Sequence, residues 1–186
     1  MYRAYALKAV EQNIELTDEH QLVDLAQNTN IQLYSDGRVE LDGKDVTSQI
    51  RTPLISNVAS VVSTYKIIRE KAVASQKKMA ADHNVIMDGR DIGTVVLPEA
   101  DIKLYLTASV DVRVNRRLAE LRKTGVEIDE QQIRQQVIER DYRDVTRAES
   151  PLVRALDAHE INTDELSIDQ IVTITKQMIA NKRKVV

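Results

Sequence analysis

Three strand-length candidates, Val85–Met87, Ile102–Leu106 and Ala158–Ile161, lie between and beside segments of helical period. That alternation constrains the fold more than any other feature. Parallel strands need long crossovers, and helices supply them, so strands alternating with helices predict an α/β chain with a parallel sheet. The first run opens directly into Asp88-Gly89-Arg90-Asp91-Ile92-Gly93-Thr94. Glycines permit close backbone approach. Arg90 offers a planar fork of donors suited to phosphate or carboxylate. Two carboxylates in one turn repel unless partners or a ligand hold them. The loop therefore reads as a ligand site at the C-terminal end of a strand, where open α/β sheets bind. The plainer alternative is an Asp-Gly turn with a solvated arginine.

The other elements follow from period and punctuation. Residues 1–12 are helical in pattern, with no capping residue ahead of Met1. Thr17-Asp18-Glu19-His20 looks like a capped start for a helix running to about Gln27. Ile31–Leu33, Val39–Leu41 and Asp45–Val46 are short strands, separated by Ser35-Asp36-Gly37 and Asp42-Gly43-Lys44. They predict a small antiparallel meander. Val58, Val61, Val62, Tyr65, Ile68 and Ala72 restore helical spacing. Asp111–Lys123 and Asp129–Arg147 read as helices broken at Thr124-Gly125, and Ile168 to Ile179 as a closing amphipathic helix.

Composition excludes several classes. A chain of 186 residues fits one domain with room for a small insert. The net charge of -3 gives no global pull toward nucleic acid or membrane. Cysteine is absent, which removes disulfides and thiolate metal sites and suits a reducing cytoplasm. No run approaches the ~18 apolar residues of a membrane span. Phe and Trp are also absent, so the core is aliphatic with some Tyr.

A second charged cluster lies on the Asp129–Arg147 segment. Arg140, Asp144 and Arg147 stand at i, i+4 and i+7 and share one face of a helix. Two arginines flanking one carboxylate can hold a hydroxyl and a phosphate together. A solvated face laced with ion pairs is the commoner origin of such spacing. Arg113, Arg116, Arg117 and Arg122 enrich the preceding helix. A basic module binding RNA through Arg113–Arg147 is disfavoured, because acidic residues alternate with the arginines.

Three runs then carry a resemblance: Gln49–Ser60 (QIRTPLISNVAS), Val85–Pro98 (VIMDGRDIGTVVLP) and Glu139–Pro151 (ERDYRDVTRAESP). With Met1-Tyr2-Arg3-Ala4 they resemble bacterial cytidylate kinases, in that family's order and over nearly the whole chain. The resemblance implies a P-loop nucleoside monophosphate kinase fold and transfer of the γ-phosphoryl of ATP, with Mg²⁺, to CMP or dCMP. It implies that Ser60, Arg69 and Asp91 read the cytosine edge, and that Arg140 and Asp144 hold the sugar hydroxyls. Arg3, Arg90 and Arg147 would be the catalytic arginines around the α-phosphate, and Tyr2 would line the same pocket. Arg113 and Arg117 would face ATP. Residues 28–60 would form the monophosphate-binding insert and 113–147 the lid with its arginine-rich helices. The expected partners are small-molecule nucleotides, with no nucleic acid and no membrane. A cytoplasmic location is expected, and a monomer when the domain is complete.

One departure from the family pattern stands out. No G-x-x-x-x-G-K-S/T occurs in the 186 residues. That loop supplies the backbone N–H groups, lysine and metal-binding hydroxyl for the β- and γ-phosphates. In the family it precedes the Met-Tyr-Arg-Ala tetrad. The expectation is therefore a single incomplete kinase domain over residues 1–186, missing its first β-loop-helix-β unit. Such a unit takes roughly 30 residues. Its loss would leave the remaining core strands short of hydrogen-bonding neighbours. The competing expectation for function is an inactive remnant that keeps only the CMP acceptor site.

Overall fold

A computed structural model of the chain describes residues 1–123 and 129–183. They form two compact units, one of Met1–Met87 with Arg147–Ser150, the other of Asp88–Thr146 with the residues from Pro151 on. Among the described residues no helix is long and apolar enough to cross a membrane.

The first unit is built around α1 (Tyr2–Glu11). Six consecutive residues, Ala4 to Ala9, are buried, so this helix is enclosed on nearly every side. Its alanines keep the helix thin enough for close neighbours. It packs on α3 (Pro53–Val62), on α2 (Glu19–Gln27) and on a 3₁₀ turn at Gln49–Arg51, while α2 packs on α4 (Lys66–Asp82). The Asp18 carboxylate caps α2 by accepting from the N–H groups of His20 and Gln21 at 2.9 and 3.1 Å. Thr52 caps α3, with Pro53 in its first turn. The expected single helical run through Val58 and Ala72 is instead two helices. Ser63 and Thr64 return hydroxyl hydrogen bonds to the carbonyls of Ser60 and Val61, which competes with continuing the helix.

The expected meander is present in the same unit. Strands β1 (Ile31–Leu33), β2 (Val39–Leu41) and β3 (Lys44–Asp45) form an antiparallel sheet in that order. Ile31 pairs with Leu41, and Leu41 with Lys44. Asp42 and Gly43 have φ of 51° and 80°, the two positive values a type I′ hairpin turn requires.

In the second unit, β4 (Leu104–Thr107) and β5 (His159–Asn162) pair in parallel, from Leu104 opposite His159 to Thr107 opposite Asn162. Both strands lie one or two residues later than the sequence pattern places them. The α5 (Val110–Arg122) and α6 (Glu130–Thr146) helices pack on each other around Val114, Leu118, Leu121 and Ile133. Helix α7 (Ile168–Arg183) closes the described chain. The break expected at Thr124-Gly125 lies outside the described residues.

Val85–Met87 does not form the expected strand. Ile86 is 97% exposed. An apolar run becomes a strand only when a neighbour takes its backbone N–H and C=O groups, and no described strand pairs with this one. The fold class is α/β, with one parallel pair, one antiparallel sheet and seven helices among the described residues, besides shorter helical turns.

Candidate functional site

In the first unit, Tyr2, Ser60 and Arg69 are gathered by α1, α3 and α4. Arg69 is nearly fully buried, and its Nη1 donates to the Ser63 carbonyl at 2.9 Å. Its guanidinium lies 5.3 Å from the Tyr2 ring centroid, within cation–π range. Ser60 is buried, and its carbonyl accepts from the Ser63 hydroxyl at 3.0 Å. Ser63 thus links Ser60 to Arg69, a role the sequence reading missed. The available signal was a serine just where the apolar period of α3 lapses. Arg3 is exposed and donates to the Ile50 carbonyl at 3.2 Å.

Arg147 belongs to this first unit and not to the helix of Arg140. Helix α6 ends at Thr146, which corrects the expected end at Arg147. Arg147 instead turns Nε and Nη2 onto the Ser150 carbonyl at 2.9 and 2.6 Å. Ser150 has a positive φ of 49°, so the chain has left the right-handed helix there. The expected shared helical face therefore holds for Arg140 and Asp144 but does not extend to Arg147.

The second unit holds the other set. Asp91 is buried, and its carbonyl accepts from Val95 and Val96 at 2.9 and 3.2 Å to open a π-helical turn at Ile92–Val96. Gly89 is required by close approach. A Cβ there would lie 2.8 Å from Cγ1 of Ile92. The Asp144 side chain is only 5% exposed and is held by two arginines. Arg90 Nε donates to its Oδ2 at 2.8 Å, and Arg140 Nε stands 3.9 Å from the same oxygen. Burial of a carboxylate is tolerable here because its charge is paired. Arg90 is anchored through Nε alone, and its two Nη groups make no hydrogen bond among the described residues. That leaves the outer fork of a pinned guanidinium open to an anion.

Arg113 and Arg117 lie one turn apart on α5. Arg113 pairs with Asp141 of α6 at 2.5 Å, and Arg117 with Glu120 at 2.9 Å. Arg116, with no expected role, donates to the Thr163 hydroxyl at 3.1 Å and carbonyl at 2.6 Å, just past β5. Among the described residues no group of three His, Asp or Glu could hold a metal ion. The arginines suit nucleotide phosphates. The 186 residues contain no glycine-rich cradle for a metal–triphosphate.

Two arginines on the buried Asp144 carboxylate, one with its outer fork unengaged, are chemistry suited to phosphorylated small molecules. The chain belongs to the cytidylate kinase family, whose profile matches residues 1–181. It is 42% identical to a cytidylate kinase of Pelotomaculum thermopropionicum, over 99% of this chain and 83% of the relative. Similarity to a cytidylate kinase of Lactobacillus gasseri is 43% over 99% and 81%. To one of Desulforamulus reducens it is 45% over 92% and 78%. The family is one of phosphotransferases and implies ATP as donor with Mg²⁺.

Proposed function

We propose that the chain serves transfer of the ATP γ-phosphoryl group to CMP or dCMP, and that its residues supply the acceptor half of that chemistry. One observation carries this reading. Arg90 is pinned by Asp144 through Nε, with its outer fork unengaged. A guanidinium held in this way meets a phosphate with little rotamer entropy left to lose. Phosphoryl transfer depends chiefly on positioning and on neutralising charge. Asp144 is an acceptor for a sugar hydroxyl, with Arg140 beside it. Asp91, Ser60 and Arg69 are proposed for the cytosine edge, Tyr2 for the wall beneath Arg69, and Arg3 and Arg147 for phosphate. Arg113 and Arg117 are proposed for ATP. Residues 28–60 are proposed as the monophosphate-binding insert.

A second reading is a chain that binds CMP without turning it over. The absence of G-x-x-x-x-G-K-S/T from the 186 residues favours it. Two measurements separate the readings: calorimetric titration of the purified chain with CMP, dCMP, AMP and GMP, and a coupled assay for CDP. Binding selective for cytosine nucleotides, with CDP formation, supports the kinase reading. Selective binding with no turnover supports the second. A preference for AMP or GMP refutes the base-edge roles, since unmet buried hydrogen bonds discriminate by several kcal/mol.

A further inference from the structure

The first unit also holds a cleft of about 470 Å³ that includes none of the individual side chains proposed to contact CMP or ATP, although its Asn28–Ile31 wall opens the proposed 28–60 insert. Its walls include Tyr5 of α1, Lys71 and Ser75 of α4, and the segment from Gln27 to Ile31 that leads from α2 into β1. Clefts of this size accept small organic ligands. The lining contains one cationic side chain, Lys71, and no carboxylate, in a chain whose net charge is -3. Lys71 has no ion pair among the described residues.

The Tyr5 ring is 2% exposed, yet its hydroxyl has no hydrogen-bond partner among the described residues and is not fully enclosed. The space that this residue lines is the cleft. Burial, with a smaller contribution from Tyr2, pushes the phenol up to about 12, so near neutral pH it is a donor.

The facing wall is held from behind. The Asn28 carbonyl accepts from Lys8 Nζ at 2.5 Å, and the Asn30 N–H donates to the Asp42 carboxylate at 2.8 Å. The Asp42 N–H returns a 2.8 Å bond to the Asn30 carbonyl. These bonds hold the backbone of the Asn28–Asn30 wall in place.

We propose that this cleft binds a small oxyanion, a phosphate or carboxylate group, with Lys71 as its counter-ion and the Tyr5 hydroxyl as a donor. The test is amide NMR on the full chain, titrated with inorganic phosphate and, separately, with succinate at constant ionic strength. Saturable shifts of the Thr29, Asn30 and Ile31 amides are expected. Response to phosphate alone assigns a phosphate site, response to succinate alone a carboxylate site, and response to both a general oxyanion site. Lys71→Gln should raise the apparent Kd at least about tenfold, the size of one lost charge-assisted bond, whereas Lys71→Arg should retain binding. The Gly89 and Ile92 amides report phosphate at Arg90 and should respond equally in wild type and Lys71→Gln. Should Lys71→Gln disturb both regions, Tyr5→Phe, which keeps the ring, decides by weakening the response at residues 29–31 alone. No saturable shift at 29–31 with either anion, or shifts that both Lys71→Gln and Tyr5→Phe leave unchanged, overturns the proposal.

Discussion

Substituting either member of the Lys8–Asp42 pair should destabilise the first unit, and unequally. Lys8 Nζ reaches both the Asn28 carbonyl and Asp42 Oδ2 at 2.5 Å. Its side chain is 10% exposed and that of Asp42 is 40% exposed. Lys8→Met keeps the apolar stem packed and leaves Asp42 able to draw on water and on the Asn30 N–H. Two charge-assisted bonds are lost, but the exposed partner rehydrates and a buried ammonium no longer needs desolvation. The net cost is about 2 kcal/mol. Asp42→Asn tolerates the positive φ at this position but strips the counter-charge from a nearly buried ammonium. That cost is larger, about 3 kcal/mol. The double variant should lose much less than the sum, because no uncompensated charge remains. Burial alone would raise the Asp42 carboxyl, but the Lys8 bond, the Asn30 N–H and the Lys8 charge outweigh it and hold it below its ordinary value. The pair therefore contributes fully above the unfolded value, about pH 3.9, and is lost as pH falls through the lower folded value. Urea unfolding followed by far-UV dichroism should show gaps between wild type and each variant that are level from pH 5 to 8 and shrink below about pH 4. The reasoning fails if Lys8→Met costs more than Asp42→Asn, or if the gaps widen in acid.

Three further outcomes are expected. Asp144→Asn should weaken CMP binding at least about tenfold by calorimetry while leaving the melting temperature nearly unchanged, since Arg90 and Arg140 are exposed enough to resolvate; a large loss of Tm with unchanged affinity would make Asp144 a structural ion-pair residue only. Gly89→Ala should destabilise by about 1–3 kcal/mol through its clash with Ile92, and adding Ile92→Ala should recover part of that in a double-mutant cycle. Ile68→Ala, at a fully buried site in the core around α1, should cost about 2–5 kcal/mol in urea unfolding, and a cost under 1 kcal/mol would show that the core collapses around the gap.

Local chemistry was legible where a few neighbouring residues decide the outcome. Asp42-Gly43 specified its hairpin turn because two consecutive positive φ values suit that dipeptide and few others. Asp18 marked the start of α2 because its carboxylate reaches N–H groups two and three residues on. Periodicity placed α5, α6 and the β4–β5 runs to within one or two residues, and three separated motifs gave the family. The misses have two causes, an absent distant partner and local competition for carbonyls. Val85–Met87 has the composition of a strand, but a strand is a property of a pair, and the partner is not written in the run itself. Helices α3 and α4 separated where hydroxyls competed for carbonyls, and Arg147 left its helix for a carbonyl three residues on. Pinning Arg90 on Asp144 joins residues 54 apart in sequence, and Lys8 meets Asp42 across 34. Spacing along the chain carries no information about such distant pairs. Only the tertiary structure could decide which charges are buried together, because burial is set by what the rest of the chain excludes from water.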